Sequence, residues 1–153
     1  MTAYVNPSTF QPYLFGVKVA GTAKAVPQNA TQTLFTVSGG RIAVTSLFGV
    51  VTVIMAGTTP NCKFTSTPTT GTAVDLTTTT SLGTTEVGGH VTIGSFGAAT
   101  VVKNAGAANL LSAPIIVPIG TIGVNVSAAD ATGSIQWTLT YVPLDAGASV
   151  VAN

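Results

Sequence analysis

Apolar and polar side chains alternate without a break from Ile135 to Tyr141. Ile135, Trp137, Leu139 and Tyr141 fall on one face and Gln136, Thr138 and Thr140 on the other, the period of a strand with one buried side. Ile122, Val124 and Val126 repeat the pattern against Gly123, Asn125 and Ser127. These two strands, with a hairpin running from Leu34 to Met55, define most of the expected core. The hairpin arms, 33–37 and 41–53, are rich in β-branched and aromatic residues, and Ser38-Gly39-Gly40 between them suits a turn that needs positive φ. Gly49, inside the second arm, predicts a bend or bulge.

Further strands are expected at 62–67, 72–79, 84–87, 91–95, 100–103, 115–117, 121–127 and 134–142, separated by Gly, Pro, Asn and Asp clusters such as Pro68-Thr69-Thr70-Gly71 and Asn104-Ala105-Gly106. Short strands with frequent turns predict an all-β chain, a single jelly-roll-like β-sandwich of about 8–10 antiparallel strands. The one helical candidate, 105–112, is short and glycine-interrupted, and reads as a loop.

Residues 1–30 break the pattern. Pro7, Pro12 and Pro27 remove backbone donors and favour extended chain, while Tyr4, Phe10, Tyr13, Leu14 and Phe15 offer large apolar area without a period of 2 or 3.6. The division expected is an extended N-terminal arm, 1–30, whose aromatic residues and Leu14 either form a partner interface or pack on the chain's own domain, followed by a sandwich domain, 31–153.

Charge narrows the function classes. The 153 residues include only five Lys/Arg and four Asp/Glu, with 27 threonines supplying polarity instead. An ordinary domain of this length carries about 38 charged side chains. A surface so sparsely charged is solvated by hydroxyls or covered by a neighbour. The net charge of +1 leaves no electrostatic footprint for nucleic acid. The most apolar run, Ile42 to Ala56, is interrupted by Thr45, Ser46, Gly49 and Thr52 and falls short of the roughly 20 residues of a spanning helix, so no membrane contact is expected. The opening residues MTAYVNPSTFQPYLF have neither a basic n-region nor a continuous apolar stretch, and no secretory signal is expected.

Candidate chemistry is thin. His90 is the only histidine and Cys62 the only cysteine, so neither finds a partner of its own kind for a transition-metal site, and the acidic residues are not spaced as a calcium loop. Asp75, Glu86, Asp130 and Asp145 are scattered, with nothing in their spacing to favour a glycosidase pair. Gly94-Ser95-Phe96-Gly97 and Gly120-Thr121-Ile122-Gly123 lack the lysine and following helix of a phosphate-binding loop. No catalytic, metal-binding or cofactor-binding residue is assigned, and the chain reads as non-enzymatic.

The phrases Ala30-Thr31-Gln32-Thr33-Leu34-Phe35, the run from Thr65 to Leu76, and Trp137-Thr138-Leu139-Thr140-Tyr141-Val142-Pro143-Leu144-Asp145 resemble those of small Thr/Gly/Val-rich virion structural proteins of tailed bacteriophages, over roughly residue 30 to the end. Within that group the chain is most similar to head decoration, or cement, proteins. The resemblance implies a homo-oligomer, a trimer first, that binds the major capsid protein on the head surface after synthesis in the host cytoplasm. A tail or fibre-tip component, or a carbohydrate-binding β-sandwich, is the alternative.

Overall fold

A computed structural model describes residues 16–57, 60–103, 106–108, 111–128 and 131–153. Twelve strands follow in order: β1 Val17–Ala25, β2 Ala30–Ser38, β3 Ile42–Ala56, β4 Asn61–Pro68, β5 Val74–Asp75, β6 Thr80–Ser81, β7 His90–Ile93, β8 Thr100–Lys103, β9 Ile115–Val117, β10 Gly120–Val126, β11 Thr132–Pro143 and β12 Ser149–Ala152. The described residues contain no helix; of the expected 105–112 loop, residues 105, 109 and 110 lie outside them.

The strands form two antiparallel sheets. One runs β1-β11-β3-β7-β8 with β9 also on β3, and the other runs β12-β2-β10-β4-β5 with β6 also on β4. Strands β1 to β4 and β9 to β12 alternate between the sheets, so β1-β11-β3-β7 faces β2-β10-β4-β5, which is the double Greek-key order of a jelly roll. The edges are nearly closed: β1 approaches β12 on one side, and a parallel bridge joins Thr78 to Ala99 on the other.

The alternation in the sequence becomes the core. Ile135, Trp137, Leu139 and Tyr141 point inward from the first sheet, and Phe35, Phe64, Ile122 and Val124 from the second. Phe64 meets Trp137 edge to face, with ring centroids 5.3 Å apart at 89°, the arrangement aromatic quadrupoles prefer. On the outward side of the second sheet, Thr121 lies between Thr36 and Thr67, so hydroxyls rather than charges meet water there.

The hairpin turn forms as expected. Gly39 has φ of 73°, and a side chain on it would run into the carbonyl of Gly147. The β2–β3 turn is thus pressed against the β11–β12 turn, and only glycine permits that approach.

Several expectations need correction. Residues 17–25, assigned to the arm, are strand β1, an edge strand paired along β11 from Val17 opposite Tyr141 to Ala25 opposite Ser134. Their Ala- and Gly-rich, mostly exposed pattern hid a strand that covers only a sheet edge. The 72–79 strand shrinks to β5, because the Phe64 amide donates to the Thr77 hydroxyl at 3.0 Å instead of to a backbone carbonyl and the ladder breaks there. Residues 84–87 form a loop, tied to β3 by the Met55 amide donating to Thr85 O and the Gly88 amide to Val51 O. The β11–β3 ladder does carry register shifts, but Gly49 is not at one of them. Strand β12 was not anticipated.

Candidate functional site

Titratable groups are dispersed over the sandwich. No group of three or more His, Cys, Asp or Glu that suits a metal ion occurs among the described residues. Asp75 on β5 bonds Lys63 on β4 at 2.8 Å. Asp145, in the β11–β12 connection, is held by Arg41: Nη2 donates to Oδ1 at 2.8 Å, Nε to Oδ2 at 2.9 Å and the Arg41 backbone amide to Oδ2 at 2.8 Å. These bonds hold the Asp145 carboxyl well below the ordinary carboxylate range. Glu86 lies in the β6–β7 connection against the far end of β3, away from Asp145. Asp130 lies outside the described residues.

His90 opens β7, opposite Val50 of β3 and Lys103 of β8. A recess of about 380 Å³ beside it is lined by Phe48, His90, Thr92 and the backbone of Gly106 to Ala108. His90 Nδ1 and Thr92 Oγ1 have no hydrogen-bond partner there, and both atoms are shut off from solvent. Among the described residues that line this recess there is one imidazole and one hydroxyl and no carboxylate. Cys62 is buried in the core, the small-hydrophobe role its burial suits.

The end of the sandwich where the β2–β3, β4–β5, β9–β10 and β11–β12 connections lie, called here the Arg41 end, has the most distinctive surface. Val17, Val74, Phe96, Ile116, Ile119, Val142 and Leu144 are all exposed around it. Register explains part of this belt. Ile115 and Val117 of β9 turn inward, so Ile116 must turn outward, and Ile116 and Val142 both pair with Ala43 of β3. Between β9 and β5 these side chains flank a groove of about 250 Å³, lined by Pro68, Val74, Phe96, Ile116 and Pro118 among others. A second hollow, around Phe96, Pro114 and Ile116, continues it. No charged side chain lines either.

The groove and the hollow that continues it are neutral, while the adjoining hollow at Pro118 and Ile119 carries the Arg41–Asp145 pair. No local pattern marks the groove, because Val74, Phe96 and Ile116 are far apart in the chain and only the jelly-roll crossings bring them together. The residues expected to form the partner interface, Tyr4, Phe10, Tyr13, Leu14 and Phe15, lie outside the described residues. The chain matches no protein-family model, no curated protein and no solved structure.

Proposed function

We propose that the chain is a non-enzymatic structural subunit of a phage particle, a decoration or cement subunit that binds the major capsid protein and braces the head lattice. The observation that carries this reading is the apolar belt at the Arg41 end of a sandwich with nine formal charges in all, five basic and four acidic. Such a surface loses water favourably at about 25 cal/mol per Å² of apolar area, before the costs of association. A lattice of repeated subunits offers the same contact many times, so each contact need not be strong. The phage-like phrases from residue 30 onward supply the kind of particle, and the jelly-roll sandwich is an architecture used in capsids and lectins alike.

The test is to mix purified protein with undecorated shells of the source phage and measure binding by co-sedimentation, then locate the added density by electron microscopy. Saturable density on the head supports the decoration role. Density on the tail or fibre moves the chain to those parts, and binding to a glycan array without binding to particles replaces the reading with a carbohydrate-binding module.

A further inference from the structure

The described chain begins at Gly16, beside the backbone of Tyr141, at the Arg41 end. Strand β1 enters its sheet from this end, so the residues before it leave from the rim of the apolar belt. The row Val142, Ala43, Ile116 crosses the sheet from that exit to the groove. At about 4.8 Å per strand, the distance from β1 to β9 is roughly 14 Å. Fifteen extended residues reach about 50 Å.

The chemistry of the two parts matches. Residues 1–15 contain no Lys, Arg, Asp or Glu and include Tyr4, Phe10, Tyr13 and Phe15. A neutral, aromatic-rich segment suits a neutral groove, because no charge on either side has to be desolvated. Four aromatics at about 150–250 Å² each bury roughly 600–1,000 Å² together, near the ~800 Å² per partner of a standard stable interface. Among the described residues β9 pairs with β3 alone, and an extended segment added along its other edge would continue that sheet.

We infer that the groove between β5 and β9 is the seat for residues 1–15 of a neighbouring copy of this chain, so that copies are linked by exchanged N-terminal segments. The direction of β1 favours a neighbour over the same chain: at Gly16 the strand axis points out of the Arg41 end, towards a copy meeting that end, whereas the chain's own groove lies back across β11 and β3. Exit and groove share one end, so two copies meeting end to end each present an exit to the other's groove, a self-complementary contact. This inference rests on the interface role of the N-terminal segment and not on the identity of the particle.

The experiment compares the sedimentation of four proteins at matched concentration: the full chain, the chain lacking residues 1–15, and full chains carrying Phe96→Asp or Ile116→Asp. Both substituted side chains are well exposed, at 58% and 66%, so the fold tolerates a carboxylate there. A labelled peptide of residues 1–15 is also titrated into the truncated protein. The full chain should sediment as an oligomer and the other three as monomers, with the peptide binding truncated protein at least tenfold more tightly than its Phe96→Asp form. A monomeric full chain, or an oligomer that survives truncation or either aspartate, overturns the inference. Peptide binding combined with a monomeric full chain places the segment in its own groove and also overturns it. An exchanged oligomer that ignores phage shells leaves the inference standing and removes the decoration role alone.

Discussion

Gly49 lies directly opposite Trp137 in the β3–β11 ladder, and a Cβ on Gly49 would come within 2.6 Å of two indole carbons. The same Cβ would also run into Cγ2 of Ile135. The space a side chain at position 49 needs is thus already filled by the indole that crosses to Phe64. Gly49→Ala should cost about 1–3 kcal/mol, the usual range for overpacking a dense core. Trp137→Phe shortens the aromatic system and should relieve part of that cost. Unfolding of the two single variants and the double variant gives the coupling; strictly additive losses would show that Trp137 is not what excludes a side chain at Gly49.

Trp137 itself is 4% exposed and contacts Phe64 at the centre of the sandwich. Trp137→Ala should cost about 3–5 kcal/mol through lost transfer energy and the cavity left behind. For a chain of this size each kcal/mol lowers the melting temperature by about 2–4 °C, so a drop of the order of 10 °C is expected in calorimetry. A melting temperature equal to that of the parent would refute the central role of this pair.

The strands legible in the sequence are those whose own side chains form the core. The alternation 135–141 and 122–126 became β11 and β10 because each alternate residue meets the opposite sheet. Strand β1 was not legible, since a strand that covers an edge needs backbone partners more than an apolar face, and Val17, Lys18 and Ala20 are all exposed. The reason for Gly49 was equally hidden: its neighbour Trp137 is distant in sequence, and only the register pairs them. The groove at the Arg41 end is a product of topology, assembled from β5, the connection after β7, and β9. Few charges in a sequence mark a surface that is solvated by hydroxyls or covered by a neighbour, and only the fold shows where its apolar side chains gather.

The Arg41–Asp145 pair predicts a pH dependence. The carboxyl is lowered below its ordinary value first by the hydrogen bond from the Arg41 side chain and then by that from the Arg41 backbone amide. A carboxyl lowered on folding stabilises the fold above its unfolded value near 3.9, and that stabilisation is lost as pH falls towards the folded value. Asp145→Asn should therefore melt below the parent by a similar small margin from pH 5 to 8, with the gap narrowing below pH 4. Both partners are solvent-accessible, so 1 M salt should narrow it as well. A gap that widens on acidification would contradict this account of the pair.

The boundary between arm and sandwich can be located by two truncations. Removing residues 1–15 leaves all twelve described strands in the chain, so a chain beginning at Gly16 should melt as a folded sandwich. Removing residues 1–25 deletes β1, and with it the partner of β11 from Ser134 to Tyr141. It also removes half-buried Val19, which packs against the core, and leaves the Val26 amide, which bonds Gly133 O at 3.1 Å, at a new chain end. An uncovered β11 edge is in addition a template for pairing with other chains. The longer truncation should therefore melt well below the shorter one and tend to aggregate, which thermal unfolding and light scattering of the two proteins would show. Equal melting of the two would mean that β1 adds nothing to the sandwich, and that the arm extends to residue 25 after all.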